Sequence, residues 1–159
     1  MAYYRRNSFM IINSIYIFIA TLSFSILGNV RGKNLIFSSL GGGFTWFFYL
    51  LSSHYVNSSS LLCFFTASVF ASTYSEIMAR VIKTPATTFI IYSIIPLVPG
   101  WGMYNTMLYS IQGHINESLS TGLNTLEIAG TIAVGIFLVS SIFKAAALFR
   151  KKLFKIDQL

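Results

Sequence analysis

Apolar residues in this chain come in long blocks, separated by short stretches that are polar, basic or rich in glycine. Five blocks reach or approach the roughly 20 residues that a helix needs to cross a bilayer. They cover residues 9–27, 35–51, 61–78, 85–111 and 119–142, and a basic tail occupies 143–159. Connectors such as "GNVRGKN" and "SSHYVNSSS" are short, so neighbouring helices are expected to pack antiparallel. No linker or low-complexity segment divides the chain. The pattern predicts an all-α integral membrane protein, a five-helix transmembrane bundle forming a single domain over 1–159.

The fourth block carries an anomaly, "IIPLVPGWGMY" over residues 94–104. Pro96, Pro99 and Gly100 fall inside a segment otherwise suited to spanning. A proline within a helix removes one hydrogen bond and clashes with the carbonyl four residues back. In lipid each unsatisfied backbone group costs several kcal/mol. The expectation is a broken span, with one half-helix over 86–96 and another from about Trp101. Thr84 is a plausible N-cap, with Pro85 at the favoured first helical position. Carbonyls near Tyr92 and Ile95 would lose their partners, and the second half-helix would present free N–H groups suited to an anion. Two readings stand: a site for a substrate carboxylate, with Trp101, Tyr104 and Asn105 close by, or a packing kink that touches no ligand.

Composition fixes the solvent. The 159 residues are 55% hydrophobic and 9% charged, with a mean hydropathy of +0.69, whereas a soluble domain carries about 25% charged residues. The surface therefore faces lipid. The net charge of +7 could suggest nucleic acid, but the basic residues sit between the apolar blocks and at the ends, where they suit anionic headgroups. With Cys63 as the single cysteine there is no internal disulfide and no cysteine metal cluster. His54 and His114 are isolated, and no nucleophile–base constellation appears, so neither a metal nor another cofactor nor an enzymatic role is expected. The "YYRR" start imitates a signal peptide, but the apolar core after it is too long and no cleavage site follows, so a retained helix is expected.

Five crossings divide the 11 basic residues nine to two, with only Arg5 and Arg6 on the minority side. The positive-inside rule then puts the C-terminus in the cytoplasm and the N-terminus outside. A thiol introduced near Asn57 should react with an impermeant reagent in intact cells, and one near Lys152 only after permeabilisation. The reverse pattern would overturn the orientation.

Three acidic and basic residues inside or beside the spans are candidates for chemistry. In the third block Ala67, Ala71, Ser75 and Ala79 form a small-residue stripe that lets another backbone approach. Beside it Ser68, Ser72, Glu76 and Arg80 form a polar stripe that should face protein or water. Glu76 and Arg80 are one turn apart and can pair, as a structural ion pair or as a gate. Glu127 falls eight residues into the fifth block, roughly 12 Å from its start at 1.5 Å per residue. Intramembrane carboxylates often mark proton routes, and a polar interhelical contact is the other reading. Gly41, Gly42 and Gly43 suit close helix packing.

The order "GGGFTWFFYLL", "SEIMARVIKTPATTF" and "IIPLVPGWGMY" resembles the C-terminal membrane domain of the threonine/serine exporter (ThrE) family. That domain also occurs as a separate small protein of the YjjB type, working with a larger partner of the YjjP type. The resemblance implies a multi-pass bacterial inner-membrane subunit of a secondary exporter driven by the proton gradient. It also implies a small carboxylate-bearing substrate, threonine or serine, with dicarboxylates as the alternative. A scaffold that supports a partner without transporting is the competing class.

Overall fold

In a computed structural model the backbone is described over residues 2–55 and 60–156, and side chains over 10–54 and 60–149. The connector over 56–59 with Asn57, the side chains of Arg5, Arg6, Arg150, Lys151, Lys152 and Lys155, and residues 157–159 lie outside the described residues. Everything described is helical or turn. The elements are α1 (Ala2–Leu27), α2 (Lys33–Tyr55), α3 (Ser60–Ile82), α4 (Ala86–Ile94), a 3-10 turn (Ile95–Leu97), α5 (Gly100–Ile111) and α6 (Ile115–Ile156). Four helices are long and apolar enough to cross a membrane, and α4 with its 3-10 turn and α5 forms a fifth candidate bent by 58°. The five expected blocks and the broken fourth span are all present.

Short connectors work because three helices end on the same backbone device. Asn29, Lys83 and Gly113 take positive φ of 57°, 58° and 78°. The next residue then donates its N–H back into the last turn: Val30 to Ser25 O at 3.0 Å, Thr84 to Ala79 O at 3.0 Å and His114 to Tyr109 O at 2.9 Å. This is the Schellman closure, which satisfies carbonyls that lipid cannot. Thr84 does not cap α4 as expected. Its hydroxyl is 3.3 Å from Asn34 Oδ1, and Pro85 occupies the cap position with no side-chain bond. Thr84 serves the end of α3 instead.

The helices interlock through small and hydroxylated residues. α2 packs on α1, α3 and α4, α3 packs on α2, α4 and α6, and α5 packs on α6. Thr21, Ser25, Ser38, Ser39, Ser68, Ser72, Ser75 and Ser93 are buried, while many large apolar side chains point outward. That inversion is expected where lipid tails are as apolar as leucine and close backbone approach drives association. Most of these hydroxyls bond back to their own helix, as Thr21 does to Ile17 O at 2.8 Å and Ser75 to Ala71 O at 2.7 Å. Across helices, Thr21 reaches Ser39 O at 3.1 Å, Ser25 meets Ser38 at 3.2 Å and Tyr74 donates to Phe37 O at 2.8 Å. The glycine run is a packing feature of α2: a methyl on Gly42 would run into Thr21. Gly42→Val is therefore expected to destabilise the bundle by about 1–3 kcal/mol, the usual range for overpacking, read as a lowered melting temperature in detergent.

The register of α3 against α6 sets the depth of the remaining features. Ser68 lies against Gly135, Ser72 faces Ile136 O and Arg80 reaches Phe143 O. Leu61, Leu62 and Phe65 share a groove with Glu127, Gly130, Thr131 and Val134. α6, 42 residues long, thus overhangs α3 at both ends, and its first three turns pair with α5. Its helix also continues through the expected tail to Ile156, where no proline stops it.

Candidate functional site

The break in the fourth span is built by its two prolines. Pro96 has no N–H, so Tyr92 O loses its helical donor. Pro99 cannot serve Ile95 O either, and Val98 N–H takes that acceptor at 3.2 Å. Pro99 sits at φ −77°, ψ 60°, and Gly100 N–H closes onto Val98 O at 2.8 Å. These are the angles and the bond of an inverse γ-turn. α5 then starts without a side-chain cap, and Met103 N–H bonds Pro99 O at 3.1 Å.

Two of the sequence expectations change here. Ile95 O is satisfied by the turn, while Tyr92 O lacks the helical donor that Pro96 cannot supply. Gly100 N–H is also consumed, so the donors left at the start of α5 are Trp101 and Gly102. Both lie at the positive end of the helix dipole. Gly100 is exposed, with open space where a side chain would stand, whereas Gly102 is buried against Thr125.

Around the break the predicted residues fall into place unevenly. Pro96 and Pro99 are half-buried, and Trp101 and Tyr104 stand on the open face of α5, 77% and 65% exposed. Asn105 Nδ2 is held by Trp101 O at 2.9 Å, which leaves its Oδ1 available. The opposite face of α5 is a hydroxyl seam against α6: Ser118 bonds Thr106 O at 2.8 Å and Ser110 at 2.7 Å. The site is thus walled on one side by this chain and open on the other.

Two residues that sequence reasoning did not single out anchor the break. Leu97, 1% exposed, plugs into a core with Ala67 and Ile132, beside Tyr49 and Phe64. Thr45 is fully buried, and its hydroxyl has no hydrogen-bond partner. It lies one turn from Gly41, which touches Ser93, and one turn from Tyr49, so by helical spacing it faces α4 near the break. A lone threonine in the apolar stretch "GGGFTWFF" was the available signal.

Glu76 and Arg80 form the expected pair, at 3.8 Å. Arg80 also donates to Phe143 O at 3.2 Å and lies 4.8 Å over the Phe143 ring, so it ties α3 to α6. The two stripes on α3 behave as expected, with Ala67, Ala71, Ser75 and Ala79 buried and Ser68 and Ser72 turned to α6. Glu76 lies nine residues along α3 from Ala67, roughly 13 Å from the break. Glu127 falls inside the candidate span Ile115–Phe149 of α6. It stands beside the first turn of α3, at Leu61 and Leu62. It is also two residues past Thr125, hence about 200° around α6 from α5. The fold brings Glu76 and Arg80 together, and Pro96, Pro99, Gly100, Trp101, Tyr104 and Asn105 together, but holds Glu127 apart from both. Among the described residues no cluster could hold a metal ion.

A multi-pass helical bundle whose interrupted span exposes half-helix ends within its apolar core has the construction of a membrane transporter. The family profile described as "Threonine/Serine exporter, ThrE" matches residues 13–142, and the chain belongs to that family. It is a membrane exporter domain and not an enzyme. Searches of curated proteins and of solved structures give no match.

Proposed function

We propose that this chain is the small subunit of a two-component secondary exporter for threonine and serine, set in a bacterial inner membrane with its N-terminus outside and its C-terminus cytoplasmic. The observation that carries the proposal is the bent fourth span, whose α5 opens with two uncommitted N–H donors and an exposed glycine. The substrate carboxylate sits at Trp101 and Gly102 N–H, where donors and dipole favour an anion. Gly100 lets the substrate reach the backbone, and Tyr104 and Asn105 Oδ1 offer partners for its hydroxyl and ammonium groups. The proton gradient drives release, with Glu76 and Arg80 as the gate on the cytoplasmic half.

The open wall of the site supports the partnership. Trp101 and Tyr104 face away from the chain's own helices, so a second membrane protein of the larger, YjjP type would complete the pathway. Threonine or serine efflux from preloaded cells is expected only when both proteins are present. Full transport by the purified single chain in liposomes would sink the two-subunit reading, and efflux of dicarboxylates in place of threonine would redirect the substrate assignment.

A further inference from the structure

We propose that α5 and the first three turns of α6 form a rigid arm that swings about a hinge through Val98–Gly100 and Gly130, and that this swing is a conformational step of export. The arm is defined by what it touches. α5 packs on α6, and among the described residues no other helix packs closely on it. Inside the pair the contacts are tight: Ser118 bonds Thr106 O and Ser110, Gly122 makes room for Thr106, and Gly102 for Thr125. From Ile132 onward α6 turns to the bundle. Ile132 joins the core with Leu97, Gly135 lies against Ser68, and Phe143 O holds Arg80.

Two links join the arm to the bundle, and both are soft. In the first, Val98 is extended at φ −60°, ψ 124°, Pro99 has no N–H to give, and no side chain caps α5. The second link is the turn of α6 around Gly130. Glycine inside a helix weakens it. Of the three glycines in α6, Gly122 accommodates Thr106 and Gly135 accommodates Ser68, whereas a methyl on Gly130 would meet nothing within 4 Å. Close packing accounts for the outer two glycines and leaves the middle one free to flex. Beside it, Thr131 Oγ1 donates to Glu127 O at 2.7 Å, a back-bond of the kind that bends helices. A groove of about 610 Å³ between this turn and Leu61, Leu62 and Phe65 gives it room to bend.

The two links stand at one level, and that makes them a hinge. α5 runs antiparallel to α6, with Gly102 at Thr125, and Leu97 packs with Ile132. The intervening residues 98–100 therefore lie alongside the turn that carries Gly130. Rotation about the line through both links keeps the hydroxyl seam intact inside the arm and Leu97 in the core, as hinge motions do. The swing carries Trp101, Gly102, Tyr104 and Asn105 with the arm and leaves Pro96 with the bundle. It thereby moves the N–H donors of α5 relative to the core. The hinge follows from the packing alone, while its part in export rests on the substrate site proposed above.

The test uses the full-length protein in lipid nanodiscs, with Cys63→Ser as background and spin labels at exposed positions. Labels at Met107 and Leu123, both in the arm, should give one narrow distance. Labels at Met107 and Ile77, the latter on α3, should give two. Gly130→Ala puts a methyl into open space and stiffens the helix. It should melt no lower than the parent and cut the minor Met107–Ile77 population about fivefold, the size of the helix-propensity difference. Threonine efflux from cells that also hold the larger subunit should slow with it. Moving the glycine by one residue, with Ala129→Gly added to Gly130→Ala, should restore both the population and the efflux. A single Met107–Ile77 distance in the parent, a Met107–Leu123 distance that varies as widely, or unchanged efflux despite the reduced population would each overturn the proposal. The distances are read without substrate, so they decide the hinge even where the threonine assignment fails.

Discussion

Replacing Pro96 and Pro99 together with alanine is expected to abolish export while the protein still inserts and accumulates at least as well as the parent. Alanine restores an N–H at both positions, so Tyr92 O regains its helical donor and Ile95 O no longer depends on the tight turn. Each recovered bond contributes about 1 kcal/mol in water-referenced terms, and more in lipid, where an orphan group has no alternative partner. The 58° bend then loses its cause. As the helix straightens, the N–H groups of Trp101 and Gly102 are drawn into its own ladder and no longer face a substrate. Spin labels at Ile91 and Met107 report the change directly, because straightening lengthens the distance between them. Normal export with a lengthened distance would reduce the break to a packing device and move the substrate site elsewhere.

The hydroxyl seam opposes this straightening, which makes the outcome informative. Thr106, Ser110 and Ser118 tie α5 to α6, and Leu97 holds the turn in the core. If the seam wins, the alanine variant keeps its bend, the spin-label distance stays short and export survives. Export lost while the bend is kept would point to the prolines' own surfaces as substrate contacts.

The spans and the break were legible because each is written locally. Twenty apolar residues, or two prolines three apart, have consequences that depend on little else. The site was legible only in part, since its details depend on which neighbour takes each backbone group. That Val98 would claim Ile95 O, and that Gly100 N–H would be spent on Val98 O, follows from the torsions at Pro99 and not from residue identity. Thr84 looked like a cap because it precedes Pro85, yet Asn34, 50 positions away, holds its hydroxyl. The neighbours of Glu127 were hidden for a similar reason. Its place in α6 can be counted along the chain, whereas its station beside Leu61 and Leu62 comes from the register of α3 on α6. Helix register between remote segments is a packing outcome, and apolar periodicity does not encode it.

Gly100 and Gly102, two residues apart in one helical turn, should respond to the same substitution in opposite ways. A side chain at Gly100 meets open space, and valine is sterically free there, so Gly100→Val should fold and assemble normally. It would nevertheless stand beside the free donors at the start of α5, where the substrate carboxylate approaches. Binding of threonine to the assembled exporter should weaken more than tenfold, or about 1.4 kcal/mol, and efflux should fall with it. At Gly102 the added atoms run into Thr125, whose Cβ is 3.3 Å from the position of the new methyl. Gly102→Val should therefore separate α5 from α6 and lower the melting temperature, losing export through loss of structure. The separation of the two effects carries the argument. If Gly100→Val leaves threonine binding untouched, the first turn of α5 does not hold the substrate, however well the bend is preserved.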